Sequence, residues 1–302
     1  MIRGASGIGL LARLKPSVIG LTIVAAGTSM PELVVSLRAA AENNHGIALG
    51  NVVGSNIFNI GVVLGLTALL RPLRIVGNSV RFEWPVMLLA TCALLFFTRD
   101  SVLDRFEACV LLSALLAFMV YVVWVARRRL PNVEQVEFAE EVSSASFGAS
   151  GPLAWIYNLG AVLLGGVLLS VGADTLVSGA VGIATGLGVP SVVIGLTIIA
   201  AGTSTPELVT SLVAAYRGRD DIAVTNVIGS GIFNIFGIAG ATALVSPIAV
   251  PASMLQRDNW WMLGFSLALL PLMRSGMRIT RTEGAFVLGA YGVYMAVLLS
   301  SI

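Results

Sequence analysis

The chain has 302 residues, of which 57% are hydrophobic and 11% charged, with a formal net charge of +2. Soluble domains carry about 25% charged residues, and this much apolar surface cannot be hidden inside a sphere of this size, so lipid is the solvent for much of it. The net charge is too small to suggest nucleic acid, Cys92 and Cys109 lack metal-ligand spacing, and a single histidine, His45, cannot build a zinc site alone.

A spanning helix needs roughly 20 mostly apolar residues. Residues 1–14, MIRGASGIGLLARL, read as the second half of such a span and show no cleavage pattern of a signal peptide. Apolar runs predict spans over about 17–40, 46–70, 83–98 and 103–126. The stretch 127–151, RRRLPNVEQVEFAEEVSSASFGASG, is charged and then Ser/Gly-rich, and reads as a loop between two halves. Further spans follow over about 153–185, 192–215, 221–245, 257–273 and 280–300. His45 falls in a short polar turn and reads as solvated. Cys92 and Cys109 lie inside apolar runs, as lipid-facing or packed residues. Glu83, Glu107 and Glu283 lie near span ends and read as interfacial. Asp174, in the long helix of 153–185, reads as locally satisfied, with a part in sodium access as the alternative.

The two halves are copies. VIGLTIVAAGTSMPELVVSLRAA at Val18–Ala40 recurs as VIGLTIIAAGTSTPELVTSLVAA at Val193–Ala215, and NVVGSNIFNI at Asn51–Ile60 recurs as NVIGSGIFNI at Asn226–Ile235. The offset is 175 throughout, and 33 of 52 aligned positions from Val18 to Leu69 are identical. Upstream of Val193 the second copy has a long helix, whereas the first copy begins at MIRGASGIG, so roughly 20 residues of the first helix are expected to be missing.

The copy of the GTSMPE helix is the fifth span after the first, an odd step, so the copies enter the membrane from opposite sides. That is an inverted repeat, which in secondary transporters places the site at the midplane. With the 127–151 loop cytoplasmic, Arg13, Lys15, Arg71, Arg74, Arg81, Arg217, Arg219, Arg274, Arg278, Arg281 and the triplet Arg127–Arg129 fall inside, 13 of 18 basic residues. Only Arg38, Arg99, Arg105 and Arg257 fall outside, with Arg3 in a span, which agrees with the positive-inside rule. The expected domains are therefore 1–126, the 127–151 linker and 152–302.

Glu32 and Glu207 occupy matching positions in the middle of apolar spans, where a carboxylate costs several kcal/mol unless paired or solvated. No Lys or Arg in either repeat core is placed to neutralise them, which points to a shared cation. Pro31 and Pro206 precede the glutamates, and each proline frees the carbonyl four residues back. Gly27 and Gly202 loosen the same turn, and such breaks leave carbonyls for cations. Thr28, Ser29, Thr203 and Ser204 add hydroxyls one turn away, able also to bond back to their own backbone. In GSxxxN, Ser55 and Asn59, then Ser230 and Asn234, share one helix face, with Asn51 and Asn226 one turn further along it. Gly54 and Gly229 suit close helix packing. The sum is an all-oxygen donor set, which suits Ca²⁺, with hydroxyls and carbonyls for Na⁺ beside it.

GTSMPE with GNVVGSNIFN, repeated as GTSTPE with TNVIGSGIFN, resembles the paired alpha-repeats of the cation/calcium exchanger superfamily, most closely its prokaryotic sodium/calcium antiporters. The resemblance covers nearly the whole chain. It implies an all-α, ten-helix inverted-repeat (5+5) exchanger fold, here with helix 1 truncated, in which helices 2–3 and 7–8 form the core and helices 1 and 6 slide across it. Glu32 and Glu207 would be shared by Ca²⁺ and Na⁺, and Thr28 and Thr203 would join Ca²⁺ binding. Ser29, Ser204, Ser55, Ser230 and the carbonyls of Ala25 and Ala200 would serve Na⁺, with Asn59 and Asn234 completing the site. Asn234 stands where potassium-dependent relatives carry Asp, which speaks against potassium, and Gly231 and Thr225 stand where the first copy has Asn56 and Gly50.

The expected function is exchange of Ca²⁺ for Na⁺ by alternating access in a prokaryotic plasma membrane, with lipid as the surroundings and neither a cofactor nor an obligate protein partner. A Ca²⁺/H⁺ exchanger using the same carboxylates is the alternative, and a cation channel fits an inverted repeat less well. An intramembrane enzyme is disfavoured, since there is no HExxH, Ser/His pair or paired aspartate.

Overall fold

The computed structural model describes residues 4, 7–8, 16–75, 77, 79–128 and 152–300. The expected linker therefore falls almost wholly outside the described residues, as do most of residues 1–14 and the side chain of Asp174.

The apolar runs form helices. In chain order they are α1 (Gly20–Thr28), α2 (Met30–Ala41), α3 (His45–Leu70), α4 (Ser79–Phe97), α5 (Arg105–Arg128), α6 (Pro152–Gly186), α7 (Ser191–Tyr216), α8 (Asp220–Val245), α9 (Asn259–Arg274) and α10 (Arg281–Leu299). Among the described residues six helices are long and apolar enough to cross a membrane, and the bent pair α1–α2 makes a seventh. The protein is an all-α, polytopic integral membrane protein. Large exposed apolar side chains such as Leu89, Phe96, Phe106 and Leu164 cover its outside, which only lipid accommodates. Cys92 and Cys109 are on this exposed surface.

Helix ends follow local chemistry. The Asn44 side chain caps α3 by accepting from the Ile47 N–H at 3.3 Å. Thr280 and Glu283 form a reciprocal capping box at α10, and Gly218 at φ +76° turns the chain between α7 and α8. Glu107 and Glu283 lie in the first turns of α5 and α10, as expected near span ends.

The centre is built from α3 and α8, which are 83% and 94% buried, whereas α4, α5 and α10 are between 22% and 28% buried and form the rim. Among the described residues six π-helical turns interrupt the helices at repeat-related places: Gly20–Val24 with Gly195–Ile199, Asn59–Leu64 with Phe233–Ala239, and Ser79–Glu83 with Met254–Asp258. Among the described residues two short antiparallel ribbons tie the halves together. β1 (Leu73–Arg74) pairs with β4 (Arg278–Ile279), and β2 (Val102–Leu103) pairs with β3 (Ile248–Ala249).

Two expectations are corrected. Glu83, expected as an interfacial residue, is enclosed by protein: α4 starts a turn earlier than its apolar run, at Ser79, and the residue is 4% exposed. His45 is not in a solvated turn, because Asn44 starts the helix there and half-buries the imidazole in its first turn.

Candidate cation-binding site

The site begins with two broken helices. At Ser29 the backbone leaves helical geometry (φ −81°, ψ 7°), and α2 restarts with Pro31 in its first turn, bent 47° from α1. Ser204 repeats this inside α7 (φ −84°, ψ 6°), followed by Pro206. Proline has no N–H to give the carbonyl four residues back, so Gly27 and Gly202 lose that helical donor. Glu32 and Glu207 lie in the first turns of the restarted helices, where the helix dipole favours a carboxylate. Both are 0% exposed.

Each half holds the other's carboxylate. The Ser204 hydroxyl donates to Glu32 Oε1 at 2.9 Å, and the Ser29 hydroxyl donates to Glu207 Oε1 at 3.0 Å. The Ser230 hydroxyl also reaches Glu207 Oε1, at 3.4 Å. One layer out, the Thr203 hydroxyl donates to Asn51 Oδ1 at 3.0 Å, and Thr28 reaches Asn226 Oδ1 at 3.4 Å. Both threonines also lie within reach of their own backbone carbonyls, at 3.1 Å for Thr28 to Val24 and 3.0 Å for Thr203 to Ile199. Asn51 is more than a packing residue. Its Nδ2 donates to the Glu32 carbonyl at 3.0 Å and to Ser36 Oγ at 2.9 Å, while its Oδ1 also receives Ser55 at 3.5 Å. Asn226 makes the matching bond to Ser211 at 3.1 Å.

The helices approach closely because glycine lets them. A β-carbon at Gly54 would stand 2.7 Å from the Leu196 main chain, and one at Gly229 would stand 2.6 Å from the Leu21 carbonyl. These contacts bring α3 against α7 and α8 against α1, which sets the serine and threonine distances.

Glu32 Oε2, Glu207 Oε2 and both side-chain polar atoms of Asn59 and Asn234 are buried without a hydrogen-bond partner among the described residues. Buried polar groups in folded proteins are ordinarily paired. No arginine is among the buried residues described, and Arg38 turns outward to Glu42 at 3.0 Å, its side chain 68% exposed. Two carboxylates buried together without a positive side chain repel each other, and charge in a low dielectric costs several kcal/mol per ion. Neutral oxygens surround them, and among the described residues no three His, Cys, Asp or Glu side chains cluster as a metal site. This donor chemistry fits a hard cation and not a soft one.

All the expected side chains, Thr28, Ser29, Glu32, Ser55, Asn59, Thr203, Ser204, Glu207, Ser230 and Asn234, are buried at 0–1% exposure. The Ala25 and Ala200 carbonyls are not left free by the breaks. They accept the Ser29 and Ser204 N–H groups, each at 3.0 Å, and the Thr28 and Thr203 hydroxyls also reach them, at 3.2 and 3.4 Å. Ser36 and Ser211 went unnoticed in the sequence, although the 175 offset pairs them and each anchors a site asparagine.

The family model described as sodium/calcium exchanger protein matches residues 1–124 and 157–300. The chain is 38% identical to the putative antiporter CaxA of Alkalimonas amylolytica, across 99% of this chain and 93% of that one. It is 31% identical to the sodium/calcium exchanger MaX1 of Methanosarcina acetivorans, across 98% and 93%. Among solved structures it resembles the sodium-calcium exchanger NCX_Mj soaked with Na⁺ and Ca²⁺, with a TM-score of 0.74 and 31% identity over 97% of this chain and 90% of that one.

Proposed function

The chain belongs to the sodium/calcium exchanger protein family, a family of transporters, and from that premise we propose that it exchanges Ca²⁺ for Na⁺ across a membrane by alternating access. The observation that carries this reading is the reciprocal cradle, in which each glutamate is held through Oε1 by a serine of the other half while its Oε2 has no partner among the described residues. Ca²⁺ takes six to eight oxygens and is matched in charge by two carboxylates. Glu32 and Glu207 supply those charges, with Thr28, Thr203, Asn59 and Asn234 as neutral oxygens. Ser29, Ser204, Ser55, Ser230 and the Ala25 and Ala200 carbonyls suit Na⁺, the carbonyls once the Thr28 and Thr203 hydroxyls turn away from them. The glutamates serve both ions, so the two compete for one set of charges.

Competition becomes coupling if the empty site cannot cross. Two bare carboxylates resist passing beneath an apolar helix, whereas a neutralised pair does not. We assign the moving cover to α6. It is 35 residues long, and a cavity of about 810 Å³ separates parts of it from α1, lined by Ala26, Met30, Val162 and Gly166 among others. The two halves, 1–126 and 152–302, act as inverted counterparts. The membrane is a prokaryotic plasma membrane with the 127–151 linker on its cytoplasmic side, supported by the distribution of arginines.

The test is Ca²⁺ uptake into proteoliposomes loaded with Na⁺ and diluted into Na⁺-free medium. Uptake that requires the Na⁺ gradient supports the proposal. Uptake driven by a pH gradient without Na⁺ would replace it with Ca²⁺/H⁺ exchange, and downhill uptake without a counter-ion would make the protein a channel.

A further inference from the structure

The two ribbons that join the halves are built alike and finished differently. In each, the inner pair is apolar and buried, Leu73 opposite Ile279 and Leu103 opposite Ile248. In each, the outer pair is exposed. One outer pair is Val102 opposite Ala249, and the other is Arg74 opposite Arg278. Residues 73–74 precede 248–249 by the repeat offset of 175, and 102–103 precede 278–279 by 176, so the outer residues are counterparts. The ribbon can therefore close with a valine and an alanine, and its architecture does not call for arginines.

Like charges directly opposite each other on antiparallel strands repel and weaken the pairing. Among the described residues neither guanidinium has an ion-pair partner. Asp220 reaches the ribbon through the main chain, its Oδ2 accepting the Arg74 N–H at 3.2 Å. More positive charge surrounds the pair, alongside the acids Asp220, Asp221 and Glu283 at the starts of α8 and α10. Arg71 donates to the Tyr216 carbonyl at 3.0 Å, which draws the turn carrying Arg217 towards β1. Arg274 ends α9 and Arg281 begins α10, flanking β4. The twin ribbon is flanked instead by RDSVLDRFE at 99–107, with two arginines and three acids.

The arginine ribbon also lies where spanning helices end, with α3 finishing at Leu70 and α10 starting at Arg281. Leu70 and Met277 are exposed beside it, at 45% and 41%. An apolar margin beside paired guanidinium groups at a membrane boundary matches a lipid better than a free anion. We infer that Arg74 and Arg278 form a binding site for the phosphate of an anionic phospholipid headgroup, on one face of the membrane only. Two guanidinium forks side by side suit the oxygens of a phosphate, and anionic lipid is available at the bilayer surface. The phosphate offsets the repulsion across the ribbon. Because β1 and β4 come from different halves, it also bridges them.

The test uses the full chain in detergent with phosphatidylglycerol, phosphatidylcholine or inorganic phosphate added. Retained lipid is counted by native mass spectrometry, and the thermal midpoint is recorded. The wild type should retain phosphatidylglycerol several-fold over phosphatidylcholine and unfold at a higher temperature with it. Arg74→Ala with Arg278→Val, which copies the twin ribbon, should lose that preference, whereas Arg99→Ala with Arg105→Ala should keep it. Arg278→Gln alone removes the repulsion, so it should lose the preference yet be no less stable than wild type without lipid. A preference unchanged in the double variant and in Arg278→Gln would overturn the site. Inorganic phosphate stabilising the wild type as well as phosphatidylglycerol does would reassign the ribbon to a free anion and overturn the lipid.

Discussion

Replacing Gly54 by alanine should damage the cation site although Gly54 donates nothing to it. Its β-carbon would stand 2.7 Å from both the Cα and the carbonyl oxygen of Leu196 and 2.8 Å from the Ala200 β-carbon. Carbon atoms rest at about 3.5–4.0 Å, so α3 and α7 must separate by about 0.8 Å or more. Main-chain atoms cannot swing aside as a side chain can. One hydrogen bond spans this contact directly, Thr203 to Asn51 at 3.0 Å, and a second, Ser204 to Glu32 at 2.9 Å, joins α7 to α2, which Asn51 of α3 holds through the Glu32 carbonyl at 3.0 Å. Stretching them by that much takes both past the useful limit of about 3.5 Å. The overpacking costs about 1–3 kcal/mol, and the bond to the carboxylate adds about 1.5–3 kcal/mol. At 1.4 kcal/mol per tenfold, loss of the carboxylate's anchor lowers apparent Ca²⁺ affinity about 10- to 100-fold. Thermal unfolding and the Ca²⁺ dependence of uptake measure the two effects. Gly264→Ala, where no atom lies within 4 Å, is the control and should match wild type. Wild-type stability and affinity in Gly54→Ala would show that the helix contact does not set the site geometry.

Ser29→Ala and Ser204→Ala should each weaken apparent Ca²⁺ affinity about 10- to 100-fold, because each removes a buried hydrogen bond to a carboxylate; unchanged or tighter affinity would mean the serines do not orient the glutamates. Asn51→Ala strips bonds from Ser36 and Thr203 and should cost about 2 kcal/mol, read as a lower thermal midpoint. A midpoint equal to wild type would return Asn51 to a space-filling role. Cys92 is exposed in the last third of α4, within its apolar run, so in vesicles it should react with a lipid-soluble maleimide and resist a charged, membrane-impermeant thiol reagent; rapid reaction with the charged reagent would place that face in water.

Most of the architecture was legible because lipid imposes a simple rule, that every span must be a long apolar helix. The span expected over 46–70 is α3 at His45–Leu70, and the one expected over 221–245 is α8 at Asp220–Val245. The site residues were legible for a second reason, since the repeat shows which polar groups recur at the same depth. What stayed hidden was non-local or sub-turn geometry. Which serine meets which glutamate depends on how the halves cross, and local sequence does not encode that. The two-residue strands have no periodicity to read. The π turns shift the hydrogen-bonding register without changing composition. Glu83 was misplaced because the apolar run begins beside it, yet the offset of 175 carries it onto Asp258, itself 0% exposed. Extending the repeat beyond Leu69 exposes that pairing of buried acids.

The central claim is that Glu32 and Glu207 form one site over which Ca²⁺ and Na⁺ compete. Equilibrium binding of radioactive Ca²⁺ to the purified protein, titrated with Na⁺, tests it most directly, with Glu32→Gln and Glu207→Gln alongside. The account predicts saturable Ca²⁺ binding that Na⁺ displaces and that either substitution abolishes in a protein that still folds. Ca²⁺ binding that persists in both variants, or that Na⁺ leaves untouched, would contradict it.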